Sequence, residues 1–199
     1  MEALKLPNDG YVVGRLSKEL FDSLLKEALS CESNDIVNTG LMTTSGKQTC
    51  PHYSVSKKNA DDLADFLMPY INHYMENFDY VRNIGLLTSD SPLVFQEPLY
   101  NVQKPNDYLP VHMHDGVLSY SIWLKLPLES SFQFSYSSIT GRSLDYGMKL
   151  SPNEAGTFLM FPSTLTHAVY PYESDNLEET RITLSGNISF RGISELFPK

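Results

Sequence analysis

Leu118-Ser119-Tyr120-Ser121-Ile122-Trp123-Leu124-Lys125-Leu126 decides the fold class. Leu118, Tyr120, Ile122, Leu124 and Leu126 alternate with Ser119, Ser121, Trp123 and Lys125. A period of two sends alternate side chains to opposite faces of a strand, so the stretch predicts a half-buried strand with one apolar face. The same signal recurs downstream. Thr157–Phe161 follows Gly156 as a short apolar strand, and His167–Tyr170 is closed by Pro171. From Arg181 to Phe190, Arg181, Thr183, Ser185, Asn187 and Ser189 alternate with Ile182, Leu184, Ile188 and Phe190. Short strands separated by Pro, Gly, Asn and Asp turns indicate an antiparallel sandwich or barrel.

Upstream the period is helical. After Ser17, a suitable N-cap, Leu20, Phe21, Leu24, Leu25 and Ala28 recur at helical spacing. A second helical pattern runs from about Ser56 to Phe78, with Pro69 inside it expected to kink or split the helix. Between them, residues 31–54 are rich in Ser, Thr, Asn and Gly and read as loop with a short strand at most. The segment from Ser130 to Tyr146, with Gly141 and Arg142, reads either as an ordinary hairpin or as a flap. The expected organisation is one domain over 1–199, with helical support in 1–80 and a β core in 90–190.

The 199 residues suffice for one sizeable core and would make two domains cramped. With 12 Tyr and 10 Phe, the composition suits a β-rich body. A net charge of -9 with no Lys/Arg cluster argues against nucleic acid as a partner, because duplex binding needs a basic footprint. No apolar run is long enough to span a bilayer, so no membrane partner is expected. The opening MEALKLPNDG lacks the layout of a signal peptide, and Cys31 and Cys50 do not make a disulfide scaffold, so a reduced, cytoplasmic setting is expected.

Chemistry concentrates in three of the five histidines, His112, His114 and His167. On an extended segment, residues two apart leave the same face, so His112 and His114 can hold one metal, and His167 can close the site from across the barrel. Imidazole ligands suit iron, zinc, copper or nickel. An HxH pair alone is more often structural, but two other features alter that reading. Arg181, 14 residues after His167, shares a face with Thr183 and Ser185. A guanidinium facing a barrel interior is costly unless an anion meets it, and it grips carboxylates bidentately. Asn101 and Gln103 share a face just before the Pro105-Asn106-Asp107 turn, which is expected to hairpin the chain back towards the histidines. Amides can bind a carboxylate without adding charge. His52 and His73 are most simply surface or helix histidines, and Tyr120 a core residue.

In their order, these motifs resemble the 2-oxoglutarate- and Fe(II)-dependent oxygenases, a double-stranded β-helix superfamily. Val111–Pro127 (VHMHDGVLSYSIWLKLP) and Gly156–Pro171 (GTFLMFPSTLTHAVYP) look most like phage and bacterial prolyl-hydroxylase-like oxygenases. The resemblance spans roughly residues 95–190. It implies a mainly β jelly-roll, cupin-like fold with N-terminal helices buttressing one sheet. It implies Fe(II) held by His112 and His167, Arg181 on the distal carboxylate of 2-oxoglutarate with Thr183 in support, and Asn101 as a further cosubstrate contact. O2 would be the oxidant, succinate and CO2 the co-products, and a peptide/prolyl or small-molecule substrate would be hydroxylated. A phage-encoded protein would work in host cytoplasm.

Two positions depart from the family pattern. Gln103 stands where the nucleic-acid demethylases carry a Tyr, and His114 stands where most relatives carry the Asp of His-x-Asp. The third ligand is therefore open between His114 and Asp115, which needs a bulge to turn inward, and a further option has Gly116 at the carboxylate position. Two other classes compete with the oxygenase reading. One is a cupin-type dioxygenase or isomerase, which has no need of Arg181. The other is a barrel that binds without catalysing.

Overall fold

The computed structural model describes residues 9–31, 50–84 and 92–191. Most of the loop expected over 31–54 lies outside the described residues, which resume at Cys50 and form strand β2 (His52–Ser54). Two long helices, α1 (Lys18–Leu29) and α2 (Lys57–Asn77), and a four-residue one, α3 (Tyr80–Asn83), precede the main β region. Ser17 and Ser56 cap α1 and α2, their side chains accepting from the Leu20 and Asn59 backbone N–H groups at 3.3 and 3.4 Å. Each cap satisfies one of the donors that a helix start leaves unpaired. Ser17→Ala is expected to lower stability by about 1 kcal/mol, measured as a shift in the denaturation midpoint with unchanged slope.

Pro69 does not split α2, which runs unbroken for 21 residues. Pro69 lies on the exposed side of the helix, where water can satisfy the carbonyl that its missing N–H leaves unbonded.

The strands form two antiparallel sheets. The larger has the order β1 (Val12–Arg15), β9 (Thr157–Pro162), β6 (Leu118–Lys125), β11 (Arg181–Phe190), β4 (Leu99–Gln103), β2, with β3 (Leu93–Phe95) also on β11. The smaller has the order β5 (Leu109–His112), β10 (Thr166–Val169), β7 (Ser130–Ser137), β8 (Ser143–Leu150). The architecture is mainly β and consistent with a jelly roll. On one face of the larger sheet, Tyr120, Ile122, Leu124, Leu184 and Ile188 pack with Leu24, Leu63, Leu67 and Tyr74 of the helices. Between the sheets, Trp123, Leu159 and Phe161 meet Phe132, Phe134 and Leu150.

Two expectations change here and one open alternative is decided. First, β6 is not half-buried: Ser119 and Trp123 are as buried as their apolar neighbours, because helices cover one face and the second sheet the other. Ser119 remains satisfied inside, its hydroxyl lying 2.9 Å from Ser163 Oγ and 2.8 Å from Asn187 Oδ1. Second, the turn after Gln103 makes no hairpin: β4 pairs with β11 and β2, β5 with β10, so this turn carries the chain from one sheet to the other. Asn106 takes a positive φ of 71° in that turn, a conformation that Asn tolerates better than most residues. Third, Ser130–Tyr146 is no separate flap, since β7 and β8 pair along all eight residues of each strand as a hairpin of the smaller sheet. Among the described residues, no helix is long and apolar enough to cross a membrane.

Candidate metal centre

β5 and β10 place His112 directly opposite His167 in their register. His114 lies beyond the end of β5, where its backbone N–H donates to the Ser163 carbonyl at 2.9 Å. The strand pairing thus ends at His112, and the bond to Ser163 holds the backbone at His114 next to it. Ring centroids are 4.3 Å apart for His112–His167, 4.9 Å for His112–His114 and 5.1 Å for His114–His167. One ligand nitrogen from each of the three lies within 4.8 Å of the others. Among the described residues no carboxylate joins this cluster; Asp115 is exposed beside it. Gly116 is tightly packed, since a Cβ there would come within 2.9 Å of Ser163 Oγ and 3.2 Å of the Ile188 carbonyl oxygen.

The ring orientations follow from hydrogen bonding. His112 Nδ1 lies 2.6 Å from the Pro110 carbonyl oxygen, and His167 Nδ1 2.9 Å from that of Leu165. A carbonyl only accepts, so Nδ1 donates in both rings, which leaves Nε2 as the atom available to a ligand. Phe132 stacks on His167 at 5.6 Å and Phe161 meets it edge-on at 5.0 Å. Burial, then the nearby His112 charge, pushes the His167 pKa down to about 3, and the same two causes in the same order bring His114 to about 4. Both rings are neutral near pH 7, as metal coordination requires.

A second polar group lies on the larger sheet. Arg181, 1% exposed, pairs in register with Gln103, and Thr183 with Asn101. Arg181 Nε donates to Gln103 Oε1 at 3.0 Å and Nη1 to the Tyr170 carbonyl at 3.0 Å. The Tyr172 ring lies 5.1 Å from the guanidinium carbon, within cation–π range. Arg181 Nη2 and Gln103 Nε2 are buried without a hydrogen-bond partner, and no ion pair to Arg181 occurs among the described residues. Burial lowers the Arg181 pKa to about 10, which still leaves the group charged at pH 7. Asn101 is engaged differently: its amide nitrogen donates to Ser185 Oγ at 2.9 Å and Thr183 Oγ1 at 3.3 Å, tying β4 to β11.

Three solved structures share this architecture. A Pseudomonas putida prolyl-4-hydroxylase has a TM-score of 0.58 at 15% identity, with 92% of this chain and 94% of that one covered. HygX from Streptomyces hygroscopicus, with nickel, 2-oxoglutarate and hygromycin B bound, has a TM-score of 0.60 at 13% identity, covering 91% and 83%. The viral collagen prolyl hydroxylase of Paramecium bursaria Chlorella virus-1, in complex with 2-oxoglutarate, has a TM-score of 0.54 at 15% identity, covering 89% and 94%. The fold is shared with these prolyl hydroxylases and with HygX. No protein-family model matches the chain, and no curated protein matches it. This fold hosts more than one reaction: SnoN, at 16% identity and a TM-score of 0.57, is a 2-oxoglutarate-dependent epimerase.

Two residues of this fold escape a reading from sequence. Tyr172 donates towards both the Gln103 carbonyl at 3.1 Å and the Glu179 carbonyl at 2.9 Å while its ring faces Arg181. Its only sequence signal is a Tyr beside Pro171. His52 is not a surface histidine: it is fully buried, opposite Asn101 in the β2–β4 register, with Nε2 3.5 Å from Cys50 Sγ. A three-residue strand is too short to show a period. His73 is exposed on α2.

Proposed function

We propose that this chain is a 2-oxoglutarate- and Fe(II)-dependent dioxygenase that hydroxylates a C–H bond of a peptide/prolyl or small-molecule substrate, with succinate and CO2 as co-products. Arg181 carries the reading. A guanidinium buried with an unbonded Nη2, beside an unbonded Gln103 amide and without an ionic partner among the described residues, suits a ligand that brings its own carboxylate. The cluster of three imidazoles, with His114 and His167 kept neutral by burial, suits a divalent metal, and Fe(II) would supply the redox chemistry that couples oxidation of 2-oxoglutarate and of the substrate C–H bond to reduction of O2.

The chain's own residues divide the work. His112, His114 and His167 would hold the metal, the first and last with their rings fixed by the Pro110 and Leu165 carbonyls. Arg181 would bind the distal carboxylate of 2-oxoglutarate, with Gln103 both orienting the guanidinium and donating its free amide. Thr183 and Asn101 would keep β4 and β11 in register beneath it. Phe132 and Phe161 would keep water from the inner side of His167. The cluster alone would also suit a cupin-type enzyme; Arg181 favours the oxygenase.

The test is a two-stage assay. Fe(II) and 2-oxoglutarate added without oxygen should produce a visible absorption band that depends on both, and admitting oxygen should yield succinate. Absence of the band and of succinate across a broad substrate panel would overturn the proposal. Gln103→Ala should weaken 2-oxoglutarate binding by about 0.5–1.5 kcal/mol, the net worth of a hydrogen bond, read by calorimetric titration.

A further inference from the structure

A groove of about 680 Å³ has Tyr11 of the N-terminal segment, Tyr80 and strand β7 among its walls. Leu165 and Thr166 also line it. Thr166 immediately precedes His167, and the Leu165 carbonyl is the one that fixes the His167 ring. Phe134, on the same wall, is the cross-strand partner of His167. The strand that carries His167 and its neighbour β7 therefore both contribute residues to the groove.

Its chemistry is one-sided. Four aromatic rings line it, those of Tyr11, Tyr80, Phe134 and Tyr136, and Asp9 adds a carboxylate. No lysine or arginine is among the described lining residues. A second carboxylate, Asp145, accepts from the groove residue Ser135 at 2.6 Å. Tyr11 packs on Phe134 at 5.4 Å and on Tyr146 at 6.1 Å. Burial, reinforced by a hydrogen bond with Tyr146, raises its pKa to about 12, so the phenol stays neutral. The Tyr80 and Thr164 hydroxyls are 3.2 Å apart across the groove lining. Aromatic faces attract cations through the ring quadrupole, and the chain's charge of -9 adds a negative field that concentrates cations and repels anions.

We propose that this groove receives a substrate bearing a protonated amine, held by the aromatic rings with Asp9 at the rim, its remaining length running towards His167. The inference names a substrate class for the oxygenase reading above and rests on that reading. The amine can belong to a lysine-containing peptide or to a small aryl-alkyl amine, and the test has an arm for each.

Aromatic-ring NMR of the full chain, without metal or 2-oxoglutarate, is followed during titration with matched probes. One arm compares a capped lysine pentapeptide with its norleucine and glutamate counterparts. The other compares 3-phenylpropylamine with 3-phenylpropanol. In at least one arm the amine should bind about tenfold tighter than its neutral counterpart, the combined scale of a cation–π contact and an exposed ion pair, and should shift the Tyr11 and Tyr80 rings. Asp9→Asn should reduce that preference to about threefold. The arm that responds identifies the source of the amine. Equal or tighter binding of the neutral or anionic counterparts in both arms, or amine binding that leaves both tyrosine rings unmoved, would overturn the proposal. No metal or cosubstrate enters this experiment, so its failure leaves the two-stage succinate assay to judge the oxygenase reading separately. A failed succinate assay with intact amine binding would overturn that reading while retaining an amine-binding groove.

Discussion

Replacing Arg181 with Met lowers the affinity for 2-oxoglutarate about 10- to 150-fold, the equivalent of 1.5–3 kcal/mol for a hydrogen bond to a charged group. The guanidinium is held on two sides, by Gln103 Oε1 and the Tyr170 carbonyl, which leaves Nη2 as the group to meet a carboxylate. Methionine fills a similar volume with apolar atoms. It removes a buried charge that lacks an ionic partner, which favours stability, but it strands the Gln103 Oε1 and Tyr170 carbonyl acceptors. The two effects oppose, so the melting temperature should change little while binding falls. That divergence separates a ligand-binding role from a structural one. Arg181→Lys restores the charge without the planar fork and should recover only part of the affinity. Unchanged 2-oxoglutarate affinity in the Met variant, by calorimetry, would remove Arg181 from the site.

His114→Ala is expected to lose the metal that the proposed centre would hold, whereas Asp115→Ala is expected to keep it. Changing residues that merely support ligands costs 10–100-fold in metal affinity, so loss of a ligand should exceed about 100-fold. His114 is neutral, anchored through its backbone to Ser163, and 4.9 and 5.1 Å from the other two rings. Asp115 is exposed and contributes no ligand atom to the cluster. Its removal should alter affinity only through screened charge, by about threefold or less at physiological salt. Metal content after dialysis against a competing chelator distinguishes the two. Retention of metal in the His114 variant and loss in the Asp115 variant would make the aspartate the ligand and require the loop after β5 to rearrange.

Features that depend on local rules were legible in the sequence. The cap at Ser17, the two long helices and the strands at 118–125 and 181–190 follow from side-chain chemistry and periodicity alone. Arg181 could be placed inside because Thr183 and Ser185 share its face and both faces of its strand carry buried residues. Features that depend on which strands become neighbours were not legible. The turn at 105–107 has the composition of a hairpin, yet β5 finds β10 rather than β4. Trp123 and Ser119 look like an outer face until the second sheet covers them. His52 looks exposed because nothing near it in sequence reveals that β2 lies against β4. Tyr172 acquires its place by closing over Arg181, a contact made by tertiary packing.

The crossing between sheets at residues 103–109 has a mechanical consequence. His112 and His167 stand on the smaller layer, whereas Arg181 and Gln103 stand on the larger one. A dicarboxylate anchored to both would act as a strut, joining layers that otherwise meet mainly through aromatic side chains. Amide hydrogen exchange in β5 and β11 should then slow in concert when metal and 2-oxoglutarate are present together, and by more than the sum of their separate effects. The reactant consumed in each turnover would also be the brace that sets the spacing of the two layers, so each cycle would loosen and retighten the barrel.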